Sequence, residues 1–334
     1  MDELDLSLVG ALQRDPRAPW SALAGPLGVD PATLSRRWSR LSSSGEAWVT
    51  CYPGGAADGG PASAMVEVEC AASRAAEVAG VLAGDPQAAT VEVLAGWADL
   101  LLTVFAPDLR GLTRYVEQRV ARVPGVLRTR TDPLLHVVRE GSRWRLGTLD
   151  AEQRQAIGER SPSGRGTARD RPRDRELMLA LGEDGRMPHA ELSERTGIPV
   201  TTVRRRLAEL LDSGRAVLRC DASARLTGWP ETALLRLDVP AEELEETAHG
   251  LALLPQARLC ALTAGPANLL LVVVARRLLD LPRIEALASR GRPRARMVDR
   301  QLTLRTVKLM GRLLDDRGLA RTRVPMDPWA APPT

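Results

Sequence analysis

The side chains with the most evident chemistry are arginines, and they come in two matched sets. Arg36, Arg37 and Arg40 stand behind Thr33 and Ser35, and Arg204, Arg205 and Arg206 stand behind Thr201 and Thr202. A guanidinium is a planar fork of donors that fits guanine O6 and N7, while hydroxyls near a helix start can hold phosphate oxygens. Both sets lie on stretches with helical spacing. Leu34, Trp38 and Leu41 recur at i, i+4 and i+7, as do Val203, Leu207 and Leu210, so each helix buries one stripe. Arg36, Ser39 and Arg40 fall opposite the first stripe, and Thr201 and Arg205 opposite the second. A basic face is often merely solvated. Here it sits on the third helix of a three-helix pattern and occurs twice, which favours DNA contact by the whole set: Thr33, Ser35, Arg36, Arg37, Arg40, Thr201, Thr202, Arg204, Arg205 and Arg206.

Other reactive side chains form no comparable pattern. The four cysteines, Cys51, Cys70, Cys220 and Cys260, contain no C-x-x-C pair, and the three histidines, His136, His189 and His249, do not recur between the halves. Cys51 and Cys220 do occupy equivalent positions, where a redox sensor competes with a small buried thiol. No catalytic residue, metal site or cofactor is expected.

The elements that position the arginines are themselves duplicated. Adding 169 to a position in the first half finds its counterpart: Asp5/Asp174, Leu8/Leu177, Asp15/Asp184, Arg17/Arg186, Gly28/Gly197, Arg36/Arg205, Gly45/Gly214 and Cys51/Cys220. The same offset overlays AGWADLLLTVFA at 95–106 on AGPANLLLVVVA at 264–275. Within each front half, a Gly turn follows the second helix. In copy one Asp30 before Pro31 then makes a strong helix start, a carboxylate for free amides followed by a residue that needs no N–H. The back of each copy alternates as strand, helix, strand, strand, helix, strand, from 63–70 to 126–139 and again from 231–239 to 294–308. That order is ferredoxin-like, a four-stranded antiparallel sheet with helices on one face. Its other face needs a cover, and a second copy of the sheet is the obvious one.

The expected architecture is therefore α+β, with two copies of a three-helix winged helix-turn-helix plus a βαββαβ domain, the two sheets pairing as an internal pseudo-dimer. The expected domains are a helix-turn-helix at 1–51, a βαββαβ domain at 62–141, a linker at 142–172, a second helix-turn-helix at 173–220, a second βαββαβ domain at 230–310, and a C-terminal tail at 311–334, whose end, MDPWAAPPT, is expected to be loosely ordered. The linker reading rests on the Gly, Pro, Ser and Arg of residues 158–174. With 334 residues, 44% hydrophobic and 26% charged, the chain is long enough for several ordinary soluble domains. No apolar run reaches the roughly 20 residues of a bilayer span, and the acidic start lacks secretory-signal features, so a cytoplasmic protein is expected. The net charge of +4 permits a polyanionic partner without demanding one.

The opening DELDLSLVGALQRDPR, the stretch LAGPLGVDPATLSRRWSRLSSSG and the glycine hairpin before ADLLLTV together resemble the Lrp/AsnC, or feast/famine, transcription regulators. The resemblance covers nearly all of both copies. It implies an effector domain that takes amino acids or related small molecules, and dimers or larger assemblies formed through the sheets. It also implies that one chain with two copies makes an internal pair, with further homo-oligomers open. Family members bind effector near the hairpin, which here supplies Gly96, Ala98 and Asp99 and, in the second copy, Gly265, Ala267 and Asn268. Asn268 in place of the acid, and Pro266 beside it, make the second pocket altered or inactive. Both loops can equally be plain tight turns. The leading function is a sequence-specific regulator on double-stranded DNA. The alternatives are an enzyme resembling the sirohaem decarboxylases, which share the architecture, and a nucleoid-type protein binding without sequence preference.

Overall fold

The computed structural model describes residues 2–54, 60–160 and 173–332. Copy one runs α1 (Glu3–Arg14), α2 (Trp20–Leu27), α3 (Pro31–Ser44), β1 (Ala47–Pro53), β2 (Ala62–Cys70), α4 (Ala75–Ala83), β3 (Ala88–Ala95), β4 (Leu100–Ala106), α5 (Leu109–Gln118) and β5 (Val126–Arg139). A helix α6 (Ala151–Ile157) follows. Copy two runs α7 (Asp174–Glu183), α8 (His189–Thr196), α9 (Val200–Asp212), β6 (Ala216–Ala222), a short α10 (Ala224–Thr227), β7 (Glu231–Asp238), α11 (Leu244–Ala252), β8 (Ala257–Thr263), β9 (Leu269–Ala275), α12 (Leu281–Ser289) and β10 (Arg296–Leu309). The chain then adds β11 (Arg312–Leu314) and β12 (Ala320–Arg323).

These elements gather into two compact units, each drawing on both copies. One comprises residues 1–61, 145–226 and 310–330, the other chiefly 62–144 and 227–309. In the first, Leu8, Leu12, Leu23, Leu34 and Leu41 form the buried stripe of α1–α3, and Leu177, Leu181, Leu192, Val203 and Leu210 that of α7–α9. Asp30 caps α3 by accepting from the Thr33 amide at 2.9 Å, with Pro31 at the first helical position. Gly45 ends the helix at φ 77°, and an added Cβ there would lie 2.1 Å from the Ala320 carbonyl oxygen, so only glycine fits.

The wing strands join the copies, because β1 pairs antiparallel with β6, Val49 opposite Cys220. Two arginines repeat that exchange. Arg17 donates to the carbonyls of Gly185 and Met187 at 2.7 and 3.0 Å, and Arg186 to those of Pro16 and Ala18 at the same distances.

Two expectations fail in this unit. The segment expected as plain linker is structured up to residue 160. The Leu146 amide donates to Gln13, the Thr148 hydroxyl donates to the Leu6 carbonyl, and α6 opens with a capping box between Asp150 and Gln153. The rest of that linker, 161–172, and residues 55–59 lie outside the described residues. Nor is MDPWAAPPT loose where it begins: Met326 is buried and Arg175 forks onto Asp327, next to the paired strands β11 and β12.

In the second unit both copies fold as βαββαβ, and their eight strands close into one antiparallel ring in the order β10-β3-β4-β2-β5-β8-β9-β7 and back to β10. Closure leaves no unpaired edge among these strands. The long strands make the joins. β5 pairs with β2 as far as Pro133 and then with β8 from Leu134, while β10 pairs with β7 as far as Leu302 and then with β3. Apolar side chains of Met65, Leu94, Leu101, Leu234 and Leu270 pack together between the copies, and Leu251, Ile284 and Leu271 form a separate core beneath α11 and α12. Among the described residues no helix is long and apolar enough to cross a membrane.

Candidate nucleic-acid interface and hairpin site

On α3, Arg36 is exposed and Arg40 keeps about half its side chain in solvent (52%). The two line an open groove of about 690 Å³ with Asp2, Asp5, Glu46 and Arg225. Arg37 lines the same groove but is held there by carboxylates. It donates to Asp5 at 3.0 Å and also binds Asp2, and these two carboxylates push its guanidinium further toward the charged form. Asp5 is only 4% exposed, so the pair ties α1 to α3. Arg40 shares Asp5 and reaches Glu46 at 3.3 Å. The Thr33 hydroxyl donates to Asp30 at 2.6 Å, within the helix cap, and Ser35 is half-buried.

Copy two repeats the scaffold and changes the face. Asp174, at the position of Asp5, is also 4% exposed and meets Arg206 at 3.8 Å and Arg215 at 3.4 Å. Arg204 and Arg205 are exposed, and Arg205 pairs one turn on with Glu209 at 2.9 Å. Thr201 is exposed and Thr202 half-buried. The expected DNA-facing set therefore divides. Arg36, Arg40, Thr201, Arg204 and Arg205 face solvent, whereas Arg37 and Arg206 brace the helices internally.

In the hairpins, Gly96 and Gly265 adopt φ 147° and 153°, which only glycine takes readily. Ala98 and Ala267 are buried. Asp99 accepts from the Cys70 amide at 2.7 Å, and Asn268 accepts from the Val239 amide at 3.0 Å while donating to the Val239 carbonyl at 2.7 Å. These partners are themselves equivalent positions. Both residues clamp the end of the neighbouring strand, so the change from acid to amide in copy two preserves a structural bond.

The remaining candidates take packing roles. Cys51 is buried with its thiol pushed up to about 12 by desolvation, and burial raises Cys220 as well, so neither is a ready thiolate. Arg186 stacks on Trp20 at 3.9 Å, and His189 holds the Trp20 position in copy two, half-buried, with its pKa lowered by burial and by Arg17 and Arg204. His136 and His249 are exposed.

Comparison with known proteins agrees with this geometry. Residues 1–42 match the model of the AsnC-type helix-turn-helix domain, 170–215 that of a winged helix-turn-helix DNA-binding domain, and 63–144 that of the Lrp/AsnC ligand-binding domain. The HTH-type transcriptional regulator AldR of Mycolicibacterium smegmatis is 30% identical over 148 residues, which span 42% of this chain and 85% of the relative. The chain belongs to the Lrp/AsnC family.

Another relative of this Lrp/AsnC protein, an uncharacterized HTH-type transcriptional regulator of Pyrococcus abyssi, is 30% identical over 113 residues, 33% of this chain and 70% of the relative. Among solved structures, the siroheme decarboxylase NirDL superposes with a TM-score of 0.60 at 14% identity, covering 92% of this chain and 93% of that one. At that identity the likeness shows a shared fold and nothing about activity. As an Lrp/AsnC regulator the chain carries helix-turn-helix and ligand-binding domains in tandem. Sequence reasoning missed Arg225, which joins the α3 groove from copy two, since nothing in its local pattern marks it. It also missed the scaffold role of Arg37 and Arg206. A signal existed there, because Asp5/Asp174 and Arg37/Arg206 are both retained at the 169-residue offset.

Proposed function

We propose that the chain is a sequence-specific DNA-binding regulator whose ring unit is an internal pseudo-dimer and whose DNA affinity is set by a small molecule, an amino acid or close relative. One observation carries the reading: the third helix of each helix-turn-helix turns arginines outward, Arg36 and Arg40 on α3 and Arg204 and Arg205 on α9. Internal bracing by Arg37 and Arg206 supports it, since a recognition helix must be rigid before it can read bases. For the effector, the glycine backbones of Gly96 and Gly265 and the exposed turns beside them are the proposed contacts, with Ala98 and Ala267 packed behind. Asp99 and Asn268 act there by holding the hairpins in shape.

The test is fluorescence anisotropy on DNA from upstream of the chain's own gene, titrated with salt. Arg36→Ala and Arg205→Ala are each expected to cost about 1–3 kcal/mol of specific binding and to lower the salt slope by about one. Unchanged affinity in both variants contradicts the assignment. An equal loss on random DNA would instead point to the nucleoid-type alternative.

A further inference from the structure

The centre of the ring is charged, in a place where apolar packing would be the cheaper filling. Glu67, Arg236, Asp132 and Gln301 are all no more than 2% exposed. Arg236 meets Glu67 at 2.9 Å and binds Asp132, and the Gln301 amide donates to Glu67 at 2.6 Å. Two half-buried groups flank them. Arg130 lies 3.7 Å from Glu67 and 3.4 Å from Asp132, and Asp299 lies 3.9 Å from Arg236. These six residues are three equivalent pairs at the 169-residue offset: Glu67/Arg236, Arg130/Asp299 and Asp132/Gln301. Position 67 is opposite 130 in its own copy, and 236 is opposite 299 in the other.

The contact of Glu67 with Arg130 thus has its counterpart in that of Arg236 with Asp299, with the chemistry inverted. Gln301 of copy two serves Glu67 of copy one, while Asp132 of copy one serves Arg236 of copy two. A pair of identical halves cannot do this, because the residue at 67 would then lie against itself. Two copy-one halves would bury glutamate against glutamate, with each Asp132 turned onto the other's Glu67. Two copy-two halves would set arginine against arginine with amide donors ahead of them, each left only the half-buried aspartate that lies 3.9 Å from Arg236. Like charges that close, out of water, are strongly unfavourable, and breaking a buried pair costs more than the pair gains.

We propose that this six-residue centre makes the two effector-type halves obligate, unlike partners. Each half's inner surface fits the other half and rejects a second copy of itself, so the chain is committed to pairing one of each kind. The charge pattern does for the duplicated chain what symmetry does for two identical subunits.

Three full-length variants test it by thermal unfolding and soluble yield. Arg236→Glu, Asp299→Arg and Gln301→Asp together give both halves copy-one charges, and Glu67→Arg, Arg130→Asp and Asp132→Gln give both halves copy-two charges. The third variant carries all six changes, exchanging the centre between the halves. Each like-charged variant is expected to melt about 10 °C or more below the parent, or to be insoluble. The six-fold exchange is expected to recover solubility and most of the lost melting temperature, although it contains every change the failing variants do. The proposal is overturned if a like-charged variant melts with the parent. It is equally overturned if the six-fold exchange is no better than the like-charged variants, since the charges would then matter singly and not as a complementary set.

Discussion

Lys308 is fully buried on β10, where its ammonium donates to the Asp85 carbonyl at 2.8 Å just beyond α4. The equivalent residue in copy one, Arg139, does the same across the ring, binding the Ala252 carbonyl and reaching that of Leu254 at 3.4 Å at the end of α11. Each long strand therefore places a cation on the C-terminal carbonyls of the other copy's helix, where the helix dipole favours it. The residue types differ in consequence. Arginine stays charged when buried, but desolvation lowers Lys308 from 10.5 to about 7. A cation whose folded pKa is depressed is lost on folding between those two values, so the unfolded chain binds more protons there and stability rises with pH across that range. Below about 7 both states hold the proton and the full desolvation cost is felt. Lys308→Met is expected to flatten the dependence of unfolding free energy on pH between 7.5 and 9.5, by up to about 1.4 kcal/mol per unit. Urea titrations of both proteins across that range provide the check. Parallel slopes would mean that Lys308 keeps its proton in the folded state.

Among the elements, the hairpins show how a residue marked for ligand contact can also serve the fold. Asp99 and Asn268 clamp equivalent strand ends through backbone amides. A carboxylate at 99 is then replaceable by the amide the other copy already uses. Asp99→Asn is expected to leave stability within about 0.5 kcal/mol, and Asp99→Ala to cost about 1 kcal/mol or more by orphaning the Cys70 amide. If the carboxylate itself holds effector, Asp99→Asn would abolish the effector's influence on DNA binding while the fold stays intact. The element order of both copies was legible because strand and helix periods are local and the 169-residue repeat checks each reading against a second. The strand partners that join one copy to the other were not legible. Alternation tells which face of β5 is buried, yet its hydrogen-bonding edge passes from β2 to β8 at Pro133 with no change of pattern. Helix α6 did carry a signal, Asp150 followed three residues on by Gln153, but the Gly, Pro and Arg content downstream outweighed it.

At the scale of the whole molecule, duplication within one chain frees the third helices of the two helix-turn-helix units to diverge, and they have. Aligned at the common offset, α3 and α9 share Arg36/Arg205 but differ at neighbouring positions: Ala32 against Thr201, Ser35 against Arg204, Ser39 against Ala208, Arg40 against Glu209 and Ser43 against Asp212. Positive charge runs along the exposed side of α3 through Arg36 and Arg40. On α9 it is concentrated in Arg204 and Arg205, with Glu209 and Asp212 following on the last turns. Carboxylates in that place repel phosphates and accept from cytosine, whereas an arginine there would donate to guanine. A homodimer reads the same half-site twice and so favours a palindrome; this chain presents one helix of each kind and is expected to favour a site with direction. Selection from a random duplex library should return two unlike half-sites in fixed order. Synthetic operators built by repeating either half-site as an inverted pair should each bind at least ten-fold more weakly than the selected site, about 1.4 kcal/mol. Exchanging Glu209 for arginine and Asp212 for serine should narrow that gap for the operator doubling the α3 half-site, because α9 would then match α3 at two of those five positions, including the second outward arginine of α3. Equal affinity for all three operators would mean that the divergence of the two helices is silent and that Arg36 and Arg205, which they share, do all the reading.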